Sequence, residues 1–257
     1  MSVLAIDGLS LIRRVFEGNK QHPAEERVEK ATQSAIQSLR RALRELSPSH
    51  AVCALDAGGA NWRHALYPEY KATRPPAPDG LDTVVAGVVS QLNAWRIPVL
   101  TVPGVEADDV LGSLAYALAR HEKECLILST DKDFLQIVCQ HTLVRNHFAR
   151  ETRDADWIRV RYGVWPEQMA DLLALMGDAA DNIPGVPLIG PKTAASLLND
   201  YGTLANLLES ARAVPGKVGE NLRAHANAAR LSLSLVRLKL DVKLGLSLGD
   251  MRYTPVD

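Results

Sequence analysis

Short apolar runs at positions 3–6, 51–55, 99–102, 126–128 and 143–144, each bounded by polar or turn residues, read as buried strands. Between them, positions 25–46, 81–95 and 107–121 space apolar residues three and four apart, the period of an amphipathic helix. Strands alternating with helices predict an α/β unit on a largely parallel sheet. From about position 154 the strand pattern stops. Helical stretches at 154–162, 166–176, 191–200, 203–210 and 221–240, separated by Gly and Pro, predict a helical C-terminal part. The expected division is 1–158 and 159–257, as two packed lobes that share a site.

No run reaches the roughly 18 to 20 apolar residues of a membrane span, and the leading MSVLAIDG has neither a basic start nor a long apolar region. A soluble, cytoplasmic chain without a membrane partner is expected. Its 257 residues, 47% of them hydrophobic, suffice for a sizeable core. Cys53, Cys125 and Cys139 are odd in number and lack metal-type spacing, so they are expected to be reduced core thiols.

The acids change the picture. Asp7 follows VLAI, Asp56 follows AVCAL, and Asp131 and Asp133 follow LILST, so three predicted strands deliver Asp at the carboxyl edge of the sheet, where open α/β folds bind ligands. Glu106, Asp108 and Asp109 open the helix predicted from 107. Each could serve as a turn residue or helix cap, but converging carboxylates repel one another unless cations neutralise them. Oxygen donors without His or Cys suit Mg²⁺ or Mn²⁺ better than zinc. Two such ions about 4 Å apart can activate water and stabilise a leaving oxygen, which points to a metal-dependent nuclease or phosphatase.

Asp178 and Asp181 in GDAADNIPG add two acids, three residues apart. The following VPLIGPKT leads into a helix whose free N–H groups can hold a phosphate; Pro191 before Lys192, and no preceding strand, separate it from a P-loop. The total charge of −1 hides a division: without these nine acids, 21 remain against 29 Lys and Arg, a basic frame suited to a polyanion. WRHALYPEYKATRPP interleaves basic and aromatic residues, as phosphate contact and base stacking require.

In order, residue type and spacing, AIDGLSLIRR, Asp56, WRHALYPEYKATRPP, GVEADDVLGSLA, LSTDKDFLQI and GDAADNIPGVPLIGPKTA resemble the 5′–3′ exonuclease and flap endonuclease family over nearly the whole chain. The length and the lack of a polymerase part are most similar to stand-alone members of the exonuclease IX type. The resemblance implies a PIN-like, mostly parallel sheet flanked by helices, followed by a helical part with a helix-three-turn-helix that binds DNA. It implies a first metal on Asp7, Asp56, Glu106 and Asp108, with Asp109 close by, and a second on Asp131, Asp133, Asp178 and Asp181. Some stand-alone members lack the last two acids; this chain has both. It further implies that Lys71 and Arg74 contact the scissile phosphate, with Arg63 and Tyr70 as supporting DNA contacts. Residues Leu188, Ile189, Gly190, Pro191, Lys192 and Thr193 would lie against the duplex. A potassium ion would sit on the main-chain carbonyls of Leu175, Met176, Pro184, Val186 and Ile189.

The expected function is therefore a divalent-metal-dependent, structure-specific 5′ nuclease acting on DNA at a 5′ flap or end, working as a monomer. Its rivals are a PIN-like ribonuclease and a catalytically silent DNA-junction binder. An aspartyl phosphatase would need a second Asp two positions after Asp7, where Leu9 stands.

Overall fold

The computed structural model describes residues 1–255, so the last two positions of the predicted helical part lie outside the described residues. The chain runs β1 (Ser2–Asp7), α1 (Gly8–Gly18), α2 (Ala24–Leu46), β2 (His50–Ala54), α3 (Trp62–Leu66), α4 (Leu81–Ala94), β3 (Val99–Leu100), α5 (Ala107–Arg120), β4 (Glu124–Leu128), β5 (Thr142–Asn146) and β6 (Glu151–Arg153). Helices follow: α6 (Ala155–Tyr162), α7 (Met169–Met176), α8 (Pro191–Tyr201), α9 (Leu204–Glu209), α10 (Gly216–Ala224) and α11 (Ala226–Val236). No helix among the described residues is long and apolar enough to cross a membrane.

The strands form one sheet in the order β3-β2-β1-β4-β5-β6, parallel except for β6. From β1 the chain steps one way to β2 and β3, then returns past β1 to β4. This reversal opens a crevice at the carboxyl ends of β1 and β4. Register brings those ends level: Ile6 pairs with Cys53 on one side and Leu128 on the other.

Successive side chains of a strand point to opposite faces. Leu4 and Ile6 pack into a core with α1, α2 and α4, whereas Val3 and Ala5 join α5 and the C-terminal helices on the other face. One continuous cluster of buried residues runs from the sheet through α6 to α11, so the helical part packs directly against the sheet layer.

Three details depart from the predicted elements. The polar Glu151-Thr152-Arg153 forms an antiparallel edge strand that carries no apolar run to announce it. The stretch 221–240 divides: α10 ends at Ala224, α11 ends at Val236, and the chain then lies extended because its backbone bonds to other elements. Leu238 N donates to Gln136 Oε1 at 3.2 Å, Lys239 N to Asp109 Oδ1 at 2.9 Å and Val242 N to Ser113 Oγ at 3.0 Å. Among the thiols, Cys53 and Cys125 are buried and their pKa values are pushed up by burial, to about 12 for Cys125, but Cys139 is exposed in the connection from β4 to β5 and is not a core thiol.

Candidate active site

Asp7 ends β1 and caps α1, so one residue both closes the central strand and starts the first helix. Its Oδ1 accepts from Ser10 N at 3.2 Å and its Oδ2 from Ser129 Oγ at 2.6 Å. The helix can begin this close to β2 because position 8 is Gly: a Cβ there would lie 2.6 Å from Cys53 Sγ. Asp56, one residue beyond the close of β2 and Leu55, accepts from Ala107 N at 2.8 Å and so ties the β2 edge to the start of α5. Ser129 also accepts from Asp131 N at 3.0 Å, and Asp131 Oδ1 accepts from Asp133 N, again at 3.0 Å.

The result is one open cavity of about 470 Å³, walled by Asp7, Ser10, Arg13, Asp56, Lys71, Arg74, Glu106, Asp108 and Asp131, among others. Its electrostatics divide the predicted ligands into two groups. Glu106, Asp109, Asp178 and Asp181 are paired with protein cations. Asp7, Asp56, Asp108, Asp131 and Asp133 make no ion pair with Lys or Arg among the described residues.

Burial, reinforced by the charges of Asp131 and Asp56, pushes Asp7 up to about 6 against the hydrogen bonds from Ser129 and Ser10. Burial and the neighbouring Asp131 push Asp133 up to about 8. Asp108 is raised well above the ordinary carboxyl range by burial and then by Asp7, Asp131, Asp133 and Glu106. Glu106 goes the other way: burial would raise it, but Lys71 and Arg63 hold it below its usual value.

Among the described residues no three His, Cys, Asp or Glu side chains converge closely enough to make a ready cage for a metal. The uncompensated acids nonetheless fit a hard cation. They are all-oxygen donors, they repel one another, and four of them, Asp7, Asp56, Asp108 and Asp131, line a roomy cavity in which an ion can keep several of its waters.

Two of the predicted DNA contacts are corrected, together with one of the predicted ligands. Arg63 is 3% exposed and cannot reach DNA: Nη1 and Nη2 donate to Asp109 at 2.8 and 2.9 Å, Nη1 to Glu106 at 3.0 Å, and Nε to Leu235 O at 2.7 Å. Tyr70 is 4% exposed and its hydroxyl donates to Glu106 at 3.0 Å. Asp109 is fully buried, and its oxygens are taken by Arg63, Trp62 Nε1 at 2.9 Å and Lys239 N, so it faces away from the cavity as an anchor and not as a metal ligand. The three residues hold Glu106 and the α5 N-terminus in place.

Lys71 and Arg74 lie in successive turns, not on a helix face, and both line the cavity. Lys71 has a left-handed backbone (φ 57°), a conformation a non-Gly residue keeps only when its surroundings fix it. What fixes it is the loop that carries Asp178 and Asp181. Lys71 N donates to Asp181 O at 2.9 Å, Asn182 Nδ2 to Glu69 O at 2.8 Å, and Arg74 Nε to Asp181 Oδ1 at 2.9 Å. Lys71 Nζ pairs with Glu106, and Lys132 with Asp178 at 2.7 Å.

That loop closes on itself where Gly177 meets Gly185: a Cβ on Gly177 would lie 2.6 Å from Gly185 N. Beyond it, Leu188 is 69% exposed and left-handed (φ 67°), Gly190 caps α8, and Pro191 occupies its first turn. Leu188 to Gly190 border a second open cavity with Met176, Val186 and Pro187. Lys192 and Thr193 stand in the first turn of α8.

Sequence reasoning missed Ser10, Arg13, Ser129 and Lys132, which hold or face the predicted acids. The available signal was the apolar spacing of Leu9, Leu11, Ile12, Val15 and Phe16: recognising α1 would have put Ser10 and Arg13 on one face.

Two family models match the chain: 5′-3′ exonuclease, N-terminal resolvase-like domain, over residues 2–163, and 5′-3′ exonuclease, C-terminal SAM fold, over residues 164–257. Flap endonuclease Xni of Aeromonas hydrophila subsp. hydrophila is 37% identical over 258 residues, covering 98% of this chain and 96% of that one. The protein of the same name from Cronobacter sakazakii is 36% identical over 254 residues, 97% of each chain. The solved structure of bacteriophage T5 flap endonuclease in a complex with DNA and metal ions shares the fold with a TM-score of 0.78 at 23% identity, covering 93% of this chain and 90% of that one.

Proposed function

The chain belongs to the 5′-3′ exonuclease family, a family of DNA-hydrolysing nucleases, and from that premise we propose a divalent-metal-dependent, structure-specific 5′ nuclease that cuts DNA at a 5′ flap or duplex 5′ end. The observation that carries this reading is the juxtaposition of uncompensated carboxylates with Lys71 and Arg74 around one cavity at the switch point of the sheet.

Asp7, Asp56, Glu106 and Asp108 would hold a first Mg²⁺ or Mn²⁺, and Asp131 and Asp133 a second. Asp178 and Asp181 would join the second by giving up Lys132 and Arg74. When bound, such ions acidify water and stabilise charge on the leaving oxygen. The protein's own part is electrostatic and positional. Lys71 and Arg74 hold the phosphate and offset its developing charge. Arg63 and Tyr70 keep Glu106 ionised and aimed, and Ser129 spaces Asp7 from Asp131.

Residues 1–158 carry this chemistry together with Asp178 and Asp181, and the rest of 159–257 grips the duplex without reading its sequence. Leu188, Ile189 and the α8 N-terminus, with the free N–H groups of Lys192 and Thr193, supply the phosphate contacts. A K⁺ on the carbonyls of Leu175, Met176, Pro184, Val186 and Ile189 would extend that grip. In support, Met176, Val186 and Ile189 border one open cavity, and the Pro184 carbonyl that accepts from Ser232 has a second lone pair. The working form is a cytoplasmic monomer.

Single-turnover cleavage of a 5′-flap duplex in Mg²⁺ or EDTA tests this. Cutting near the junction that requires the metal and is abolished by Asp108→Ala is expected. A folded parent that binds the flap but never cuts it, in Mg²⁺ or Mn²⁺, would overturn the reading.

A further inference from the structure

Among the described residues three cations face the cavity: Arg13, Lys71 and Arg74. Lys71 is engaged by Glu106 and Arg74 by Asp181. Arg13 makes no ion pair among the described residues, although the cavity wall it shares carries Asp7, Asp56 and Asp108, and its Nε is buried without a hydrogen-bond partner. A buried guanidinium N–H left without an acceptor calls for an explanation. None of the described residues supplies one, so the acceptor is expected to come with the substrate.

Arg13 stands three residues after Ser10 on the face of α1 that lines the cavity. It stands six positions beyond Asp7, about 9 Å along the helix axis. It stands on the wall formed by α1, whereas Lys71 and Arg74 are anchored to Glu106 and to the 178–182 loop. An anion that meets both walls must be extended. A nucleic-acid strand is such an anion, and the planar guanidinium fork matches phosphate oxygens two at a time.

We propose that Arg13 binds a backbone phosphate flanking the scissile one, a second phosphate subsite on the α1 wall of the cavity. This rests on the nuclease reading above. The contact positions the strand and reads no base.

The test is single-turnover cleavage of a 5′-flap duplex in which each phosphate near the cut is replaced in turn by a neutral methylphosphonate, with the parent, Arg13→Gln, Arg13→Lys and, as a remote control, Arg120→Gln at the far end of α5. Loss of a charge-assisted phosphate contact is expected to slow Arg13→Gln about tenfold or more on the unmodified substrate. At one flanking position the methylphosphonate should slow the parent but not slow Arg13→Gln further, and Arg13→Lys should recover part of the rate. This comparison is internal to each variant, so a change in its stability does not confound it. Arg13→Gln cutting like the parent, or methylphosphonate losses that add in full at every position, would refute the subsite while leaving the nuclease reading intact. A parent that does not cut at all would remove the nuclease reading and the subsite with it.

Discussion

Arg63 shows how one side chain can look like a ligand contact and act as a strut. Its alternation with aromatic residues suggested DNA, yet its guanidinium is bonded to Asp109, Glu106 and the Leu235 carbonyl. Removing one member of a buried ion-pair network leaves the others uncompensated, at about 3–5 kcal/mol. Arg63→Ala is therefore expected to lower unfolding free energy by that order in urea titration. A loss under about 1 kcal/mol would mean that the network is not closed in solution. Tyr70→Phe removes a single hydrogen bond to Glu106 and should cost only about 0.5–1.5 kcal/mol in the same titration.

Among elements, the loop between α7 and α8 does the most with the fewest residues. It carries Asp178 and Asp181 and fixes the backbone of Lys71, so its shape couples the acids to the phosphate-facing cations. Gly177 sits at φ 71° and ψ 178°, a region essentially closed to side chains. Gly177→Ala is expected to cost about 1–3 kcal/mol, seen as a lower denaturation midpoint. It should weaken the second of two Mn²⁺ binding steps in a titration and spare the first. Equal weakening of both steps would show that the loop serves the whole site.

At the scale of the molecule, the sheet edge holds more negative charge than the protein neutralises. Asp7 rises from 3.8 to about 6 and Asp133 to about 8, so between the unfolded and folded values the folded state binds more protons than the unfolded state. Stability from these groups is complete below about pH 4, declines as pH rises through that window, and levels off above it. Glu106 acts in the opposite sense, losing its contribution only as pH falls below its ordinary range. Metal-free protein in EDTA should therefore melt at a lower temperature at pH 8 than at pH 5. Mn²⁺ should raise the midpoint more at pH 8, because only the ionised cluster binds it. A Mn²⁺ shift equal at both pH values would contradict this account.

The sequence by itself determined the alternation of strands and helices, the helical C-terminal part, and the placement of Asp7, Asp56, Asp131 and Asp133 after strands, because period and strand-end position are local properties. Only the tertiary structure decided which acids face the cavity and which are anchors. Asp108 and Asp109 are neighbours in the chain, but a helix turns each residue about 100° from the last, so one meets the other carboxylates and the other meets Arg63. The end of α11 at Val236 and the burial of Arg63 and Tyr70 likewise follow from partners more than 30 residues away in the chain, such as Glu106 for Tyr70. Those partners carry no local signature, and a free cation such as Arg13 can be recognised only once every neighbour that might have neutralised it is in place.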